Sequence, residues 1–271
     1  MFVMSSEKIR IETLVKMKEQ GSKIVAITAY DFPTARIVDQ AGVDIALVGD
    51  SLGTVLQGHD STIPVTMEQM IYHTSMVSRA VKRPLIVADM PFLSYKVSKE
   101  QAVVNAGRFL SEGGAEAVKL EGSEEVSPMI DAIVSAGIPV MGHIGLTPQA
   151  VHAHSGYRVQ GRGMEAAQRL KYEARRLEEL GCFAIVLELI TVEVSTEIRQ
   201  SLSIPTIGIG SGIGCDGQVL VLHDAIGFSD KQPPSFVKEY ANVFEVARDA
   251  VAQYVTDVRN VDYPGEEHSH K

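Results

Sequence analysis

Cysteine is scarce in this chain of 271 residues, which has only Cys182 and Cys215. The two lie far apart and form no CxxC pair, so we expect neither a disulfide framework nor a structural zinc site. No apolar run approaches the ~18 residues of a membrane span, and the first residues lack the long apolar region of a secretion signal. Together these features favour a reducing, cytoplasmic location without a membrane partner.

Positively charged residues are fewer than negatively charged ones. Lysine and arginine number 25 against 34 aspartates and glutamates, which gives a net charge of −9. This balance disfavours nonspecific binding to nucleic acids or to anionic membranes. An anionic small substrate remains compatible with it, because a metal ion or a local lysine can reverse the field inside a cleft.

Short apolar runs alternate along the chain with segments of helical periodicity. Strands are predicted near 24–29, 44–49, 85–89, 116–120, 138–142, 183–187, 205–209 and 219–222. The intervening helices are predicted at 32–40, 67–81, 99–112, 124–136, 165–180 and 192–202. Eight strands that alternate with helices predict an α/β protein of the (β/α)₈ TIM barrel type.

The two ends of the chain extend this barrel. Residues 8–20 predict an extra N-terminal helix, and residues 236–258 predict a helix that closes the barrel. The expected catalytic domain is therefore 1–261, followed by a polar, mobile tail at 262–271. One connection is weak, since residues 211–217 leave little room for a helix. A doubly wound open sheet is the alternative fold.

Acidic residues or histidine stand at the ends of five apolar runs, namely Asp50, Asp89, Glu121, His143 and Glu188. In a parallel barrel all strands end at one rim, where active sites lie. Neighbouring strands are about 4.8 Å apart, so the first three carboxylates can share one cation or a cation-bound water. Oxygen ligands favour Mg²⁺ over zinc. The alternative is that each carboxylate caps a following helix.

Three of the candidate residues carry further alternatives. Lys119 precedes Glu121 by two residues and faces the same side of the strand, where it would pair with an anionic substrate, form a Schiff base or make a structural ion pair. His143 would contact substrate, orient a neighbour or bind loop backbone. Glu188 ends an apolar strand, which raises a carboxylate pKa and suits a general base. Its alternative is a salt bridge at the rim.

Three loops leave their roles open. The loops at 52–64 and 146–163 are long and polar, and the second contains His152, His154 and Tyr157. Such rim loops act as lids or as oligomer contacts. The glycine-rich run 208–214 either binds phosphate or allows close backbone packing.

The chain resembles the ketopantoate hydroxymethyltransferase family over about residues 8–228. The stretches that carry the resemblance are Thr28-Ala-Tyr-Asp31, Val48-Gly-Asp-Ser-Leu-Gly53, Gln57-Gly-His-Asp-Ser-Thr62, Tyr72-His-Thr74, Ala88-Asp-Met-Pro-Phe92, Val118-Lys-Leu-Glu-Gly122, Gly142-His-Ile-Gly-Leu-Thr-Pro-Gln149, Gly156-Tyr-Arg-Val-Gln-Gly-Arg162, Val186-Leu-Glu188, Ile207-Gly-Ile-Gly210 and Asp216-Gly-Gln218. One departure is Ile190-Thr191, where the resemblance leads us to expect an apolar residue followed by proline.

The resemblance implies an activity and a set of site residues. The activity is transfer of a hydroxymethyl group from 5,10-methylenetetrahydrofolate to 3-methyl-2-oxobutanoate through a metal-stabilised enolate, giving 2-dehydropantoate in pantothenate biosynthesis. The implied ligands of one Mg²⁺ per subunit are Asp50, Asp89 and Glu121. The implied keto-acid contacts are Ser51, Lys119 and His143, together with Asp50 and Asp89 through the metal, and Glu188 is the implied proton acceptor. The implied assembly is a homo-oligomer, a decamer in many members.

Two other functions remain open at this stage. One is a Mg²⁺-dependent lyase or mutase of the phosphoenolpyruvate-mutase type, which also stabilises enolates in such barrels. The other is a non-catalytic barrel that binds a keto acid.

Overall fold

Eight parallel strands close into a barrel in the computed structural model, which describes residues 7–150 and 158–270. The strands are β1 (Ile24–Thr28), β2 (Ile45–Val48), β3 (Leu85–Asp89), β4 (Ala117–Glu121), β5 (Val140–Gly145), β6 (Ala184–Glu188), β7 (Thr206–Ile209) and β8 (Gly217–Leu220). Each pairs with the next, and β8 pairs back with β1, where Ala26 lies beside Val219. The predicted (β/α)₈ barrel is confirmed, and an open sheet is excluded.

Helices connect most pairs of successive strands, and other helices precede or follow the strands in the chain. They are α1 (Ile11–Glu19), α2 (Phe32–Ala41), α3 (Leu52–Val55), α4 (Met67–Ala80), α5 (Lys99–Ser111), α6 (Ser127–Ser135), α7 (Met164–Glu179), α8 (Val192–Ser201), α9 (Leu222–Ala225) and α10 (Val243–Asn260). The predicted N-terminal helix is present as α1. Residues 210–216 contain no helix, as their length predicted. No helix within the described ranges is long and apolar enough to cross a membrane.

Some element boundaries differ from the prediction, each for a local reason. Strand β5 begins at Val140, because Pro139 has no N–H to donate to the sheet, and it continues to Gly145, which pairs with Glu188 of β6. His143 therefore lies inside the strand and not at its end. Helix α10 begins seven residues later than predicted, where the Asn242 side chain accepts a hydrogen bond from the Glu245 N–H at 3.2 Å.

The chain divides into two compact units, residues 1–220 and 221–271. The first contains the whole barrel, and the second contains α9 and α10. The predicted extent of the catalytic domain, 1–261, and the predicted mobile tail stay predictions.

An apolar layer fills the lower part of the barrel. It is formed by alternate residues of the strands together with α1, whose Leu14 is fully buried against them. Side chains from β2 and β3 such as Leu47 and Val87 belong to the same cluster. This apolar layer packs one end of the barrel, and the candidate site residues lie at the opposite end, where the strands terminate.

The buried Asp216 side chain links α1 to α8 and β7 by hydrogen bonds. Its carboxylate accepts hydrogen bonds from Lys18 Nζ at 2.8 Å, from Arg199 Nε at 2.7 Å and from the N–H and hydroxyl of Thr206, both at 3.0 Å. Burial raises the pKa of this carboxyl, but the bonds from Lys18 and Arg199 outweigh burial and lower it overall. One acidic side chain thus ties α1, α8 and β7 together.

We predict that Asp216→Asn lowers the free energy of unfolding by roughly 3 kcal/mol or more, because it leaves two cations without their partner. The measurement is urea unfolding at pH 7. Since the folded-state pKa of Asp216 is lowered, its contribution is present above the unfolded-state value and is lost as the pH falls through the folded-state value. The difference in the free energy of unfolding between variant and parent should therefore become smaller at acidic pH.

The matched control is Glu197→Gln, which removes an exposed ion pair with Lys171. It should change the free energy of unfolding by less than about 1 kcal/mol. Equal losses for the two variants would contradict the role assigned to Asp216.

Candidate active site at the mouth of the barrel

The barrel brings the predicted site residues together at the C-terminal ends of its strands. Asp89, Glu121 and Glu188 are the last residues of β3, β4 and β6, and Asp50 lies two residues after β2. The strand register sets Asp89 beside Lys119 and Glu121 beside His143. Asp50, Asp89, Lys119, Glu121 and His143 are each at most 5% exposed, and the Glu188 side chain is 15% exposed.

Asp89 lies between a backbone N–H and an ammonium group. Its Oδ2 accepts a hydrogen bond from the N–H of Asp50 at 3.1 Å, and its Oδ1 lies 2.8 Å from Lys119 Nζ. These contacts fix the Asp89 side chain beside the turn that carries Asp50. Ser51, next along that turn, shares a hydrogen bond of 2.8 Å between its Oγ and the hydroxyl of Tyr30.

Gln149 forms hydrogen bonds with two carboxylates of the cluster, those of Asp50 and Glu121. Its side-chain Nε2 donates to Asp50 Oδ2 at 2.9 Å, and its backbone N–H donates to Glu121 Oε2 at 3.0 Å. The buried hydroxyl of Tyr95 donates to Gln149 Oε1 at 2.8 Å. Sequence reasoning missed this residue as part of the site, because it lies in a loop and ends no strand. Only its place in the motif Gly142–Gln149 pointed to it.

His143 lies between Lys119 and Glu188. Its Nδ1 is 3.3 Å from Lys119 Nζ and 3.6 Å from Glu121 Oε1, while its Nε2 is 3.2 Å from Glu188 Oε2. An ammonium group can only donate, so Nδ1 accepts and the proton of the neutral ring lies on Nε2, facing Glu188. Burial and Lys119 lower the pKa of His143, which favours this neutral form.

Buried negative charge outweighs positive charge in this cluster. Burial and the Asp89 carboxylate raise the pKa of Asp50 to about 7. Burial and Asp50 likewise raise the pKa of Glu121 well above its usual value. Burial opposes the charge of Lys119, but Asp89, Glu121 and Asp50 raise its pKa overall, so it is an ammonium ion. Three carboxylates around one lysine make an environment that attracts a further cation.

The donor set fits Mg²⁺. Within residues 7–150 and 158–270, no three acidic, histidine or cysteine side chains are grouped closely enough to hold a metal alone. Mg²⁺ does not need such a cage, because it is commonly held by one or two carboxylates together with waters and substrate oxygens. Asp50 and Asp89 can supply two carboxylates, and the pKa of Asp50 is raised first by burial and then by the Asp89 charge, which a bound cation would offset.

The loops at the mouth are described in part. Residues 52–64 begin with the short helix α3, whereas His152, His154 and Tyr157 of the second loop lie outside the described residues. The glycines of 208–214 make close contacts: a Cβ at Gly208 would lie 2.9 Å from Cys215 Sγ, and one at Gly212 would lie 2.6 Å from a Val192 methyl group. These contacts support the close-packing interpretation at Gly208 and Gly212, and phosphate binding by this run stays a prediction.

The family profile described as ketopantoate hydroxymethyltransferase matches residues 8–266. The chain belongs to this family. A 3-methyl-2-oxobutanoate hydroxymethyltransferase of Thermoanaerobacter sp. is 55% identical over 97% of this chain and 96% of that protein. A protein of the same name from Carboxydothermus hydrogenoformans is 52% identical over 97% of this chain and 95% of that protein. Ketopantoate hydroxymethyltransferases are one-carbon transferases, so the protein is an enzyme.

Solved structures with little sequence identity share the fold of this family member. A phosphonopyruvate hydrolase in complex with oxalate and Mg²⁺ has a TM-score of 0.60 at 14% identity, covering 96% of this chain and 93% of that chain. A putative phosphonomutase from Burkholderia cenocepacia has a TM-score of 0.63 at 12% identity, covering 91% of this chain and 99% of that chain. These likenesses concern the barrel architecture alone.

We predict that Asp50→Asn stabilises the metal-free protein at alkaline pH. Because the folded-state pKa of Asp50 is raised from 3.8 to about 7, its contribution to stability is present in acid and is lost as the pH rises through about 7. Asparagine keeps the shape without this charge. In the presence of a chelator, the variant should melt at least about 2 °C above the parent at pH 8, and the difference should shrink towards about pH 4.

The exposed Asp60 provides the matched control. Asp60→Asn should leave the melting temperature within about 1 °C of the parent at both pH values. A melting temperature of Asp50→Asn that tracks the parent across this range would show that Asp50 carries no buried charge penalty.

Proposed function

We propose that this enzyme transfers a hydroxymethyl group from 5,10-methylenetetrahydrofolate to 3-methyl-2-oxobutanoate, giving 2-dehydropantoate, with one Mg²⁺ per subunit. Family membership supports the reaction class. The observation that carries the proposal is the cluster of Asp50, Asp89 and Glu121 around the Lys119 ammonium, with His143 and Glu188 beside it. Such a cluster can bind a cation and an anionic keto acid and can also accept a proton.

Asp50 and Asp89 are the proposed direct ligands of Mg²⁺, and Glu121, held by the Gln149 N–H, completes the ligand set. When bound, Mg²⁺ supplies a Lewis acid that stabilises negative charge on the keto oxygen of the substrate. Ser51, which adjoins Asp50, is proposed to contact the keto acid. The polar side chains then fix the orientation of the keto acid before its proton is removed.

Lys119 is proposed to pair with the anionic substrate rather than to form a Schiff base. A Schiff base needs a neutral amine as nucleophile, whereas the surrounding carboxylates raise the pKa of Lys119 and keep it charged. Its ammonium group lies 2.8 Å from Asp89 Oδ1 and 3.3 Å from His143 Nδ1. It therefore has a fixed position from which to attract a carboxylate or a developing enolate oxygen.

Glu188 is the proposed general base, and His143 positions it. His143 Nε2 lies 3.2 Å from Glu188 Oε2, so the histidine restricts where this carboxylate can lie beside the C3 proton of the keto acid. The pKa of His143 is lowered, so the imidazole stays neutral and does not take this proton itself. A positioned carboxylate of this kind typically contributes about 10²–10⁴-fold to rate.

The atoms of the proposed reaction balance with one water. Glu188 takes the C3 proton, and the resulting carbanion electrons form a bond between C3 and the methylene carbon. The two bonds from this carbon to the folate nitrogens break, and their electron pairs return to nitrogen. Water supplies the hydroxyl oxygen. The C3 hydrogen and one hydrogen of the water together account for the two N–H hydrogens that tetrahydrofolate gains.

Two other functions predict different behaviour. An enzyme of the phosphoenolpyruvate-mutase type would act on a phosphonate or a related acid and would need no folate. A keto-acid-binding protein without activity would bind 3-methyl-2-oxobutanoate but would not turn it over. Turnover with both substrates, compared with binding of the keto acid alone, separates the three.

The proposed location is the cytoplasm, and the proposed assembly is a homo-oligomer, a decamer by resemblance. Cys182 and Cys215 are both free thiols, which is compatible with a reducing compartment.

We predict that turnover requires both substrates and a divalent cation. A chelator should abolish product formation, and added Mg²⁺ should restore it. Asp89→Asn should abolish binding of the keto acid, because it weakens the cation site and the ion pair with Lys119. Isothermal titration and product detection by mass spectrometry are the measurements. Full activity in chelator, without detectable bound metal, would disprove the metal requirement.

The control for the metal experiment is Asp131→Asn on the exposed side of α6. It makes the same chemical change away from the mouth and should retain parental turnover. Circular dichroism of both variants checks that the barrel remains folded.

We predict that the protein exchanges the C3 hydrogen of 3-methyl-2-oxobutanoate with D₂O in the presence of Mg²⁺ and without folate. Glu188→Gln keeps the shape of the side chain and removes its basicity. It should lose about 10²-fold or more of the exchange rate while still binding metal and keto acid. Proton NMR of the substrate follows the exchange.

Glu193→Gln, on the exposed start of α8, is the control for this experiment and should exchange at the parental rate. Exchange by Glu188→Gln within about tenfold of the parent would assign proton removal to His143 or to a hydroxide.

A further inference from the structure

The glycine-rich run 208–214 contacts the turn that carries the proposed base, residues 187–190, which we call the base turn. Strand β7 leads into this run and pairs with β6, which leads into the base turn. The Ser211 side chain is fully buried. Its hydroxyl donates to the Leu187 carbonyl at 2.7 Å and accepts a hydrogen bond from the Ile190 N–H at 3.0 Å. One hydroxyl thus bonds to the main chain on both sides of the base.

The residue that follows the base has a backbone conformation that non-glycine residues rarely adopt. Leu189 has a φ of 48°, in the left-handed region. Its N–H donates to the Ile209 carbonyl at 2.9 Å, and its carbonyl accepts a hydrogen bond from the Gln160 N–H at 2.6 Å. Such a conformation persists only where the surrounding structure enforces it, and it is concentrated at functional sites. Contacts from two other segments therefore hold the base turn in a strained shape.

Glycines on both sides of Ser211 allow it to lie close to the base turn. Gly210 and Gly212 have φ values of 62° and 76°, which glycine adopts without steric cost. A Cβ at Gly212 would also lie 2.6 Å from a methyl group of Val192, the first residue of α8. From the same helix, the Ser195 hydroxyl donates to the Ser211 carbonyl at 2.7 Å. Both the main chain and the side chain of Ser211 are therefore fixed by hydrogen bonds.

The main chain of Glu188 is also held from the side of β5. Its carbonyl accepts a hydrogen bond from the Leu146 N–H at 2.9 Å, and a Cβ at Gly145 would collide with that carbonyl oxygen. A general base has to reach one particular proton, and a displacement of about 1 Å can lower a rate about 10²-fold. Proton removal therefore depends on where this main chain lies as well as on the basicity of the carboxylate.

We propose that Ser211 is a positioning residue for the general base. This inference rests on the proposed function, in which Glu188 removes the C3 proton of the keto acid. The Ser211 hydroxyl fixes Leu187 and Ile190 relative to each other, so the side chain between them leaves the main chain at a fixed point and in a fixed direction. The glycine-rich run brings the hydroxyl to this position. Loss of the hydroxyl leaves the carboxyl group present but releases the turn that carries it.

The first test measures C3 exchange with D₂O at saturating Mg²⁺ and keto acid, without folate. Ser211→Ala should lower the exchange rate at least about 10-fold, because the base no longer lies at a fixed distance from its proton. The affinities for Mg²⁺ and for the keto acid, measured by isothermal titration, should stay within about threefold of the parent, since the proposed metal ligands lie on or beside other strands.

A double variant distinguishes positioning from a general loss of stability. If the Ser211 hydroxyl acts through Glu188, then Ser211→Ala with Glu188→Gln should exchange within about twofold of Glu188→Gln alone, because effects of residues that act as a unit are not additive. The exchange that occurs without protein is subtracted from each rate. A loss by the same factor in both backgrounds would show that Ser211 is only structural and would overturn the inference.

Ser127→Ala is the matched control. It also removes a buried hydroxyl that donates to a main-chain carbonyl, that of Ser123 at 3.0 Å, and it lies at the start of α6. It should exchange the C3 hydrogen at the parental rate. Hydrogen–deuterium exchange mass spectrometry should show faster amide exchange in a peptide spanning 186–191 for Ser211→Ala, and parental amide exchange there for Ser127→Ala.

The outcomes separate this inference from the proposed function. Parental C3 exchange by Ser211→Ala, with a large loss in Glu188→Gln, would overturn the positioning role and leave the function intact. Parental exchange by Glu188→Gln would overturn the assigned base and the inference with it. If Ser211→Ala does not fold, Ser195→Ala decides, because it removes the bond to the Ser211 carbonyl and keeps the hydroxyl. It should lower C3 exchange at least about threefold, and a parental rate would overturn the inference.

Discussion

A single buried ammonium group, that of Lys119, is the charge on which the arrangement of the barrel mouth depends. It lies 2.8 Å from Asp89 and 3.3 Å from His143, and its field lowers the pKa of that histidine. Three acidic side chains raise its own pKa in return. Because charges in a buried site interact strongly, the position of Lys119 favours the tautomer of His143 that carries its proton on Nε2, the nitrogen 3.2 Å from Glu188.

Burial of this cluster of charged side chains lowers the stability of the folded state, and the apolar packing in the rest of the barrel offsets that loss. Carboxylates such as Asp50 and Glu121 are buried with their pKa values raised, which means that their charged forms lose hydration in the folded state. The apolar layer beneath them, reached by Leu14 of α1, supplies stability without adding polar groups. A barrel separates these two tasks because its interior can be packed at one end while its loops shape the other.

The positions of the strand-end carboxylates could be predicted because burial of a short strand leaves a readable apolar run. Asp89, Glu121 and Glu188 each end such a run and each end a strand. His143 was predicted at a strand end and lies inside β5, because β5 continues to Gly145, which pairs with Glu188 of β6. Gln149 could not be found in this way, since a loop glutamine has no periodic pattern and its partners are distant in sequence.

The sequence by itself determined the class of fold and the residue types that meet at one rim, because the order of strands and helices implies parallel pairing and parallel strands share an end. Its motifs also determined the family. Only the tertiary structure decided which atoms meet. The contact of Lys119 with both Asp89 and His143, the bridge made by Gln149 and the hydrogen bonds of Ser211 on both sides of Glu188 depend on side-chain directions and on loop paths. These are set by packing between segments far apart in the chain, which no local pattern encodes.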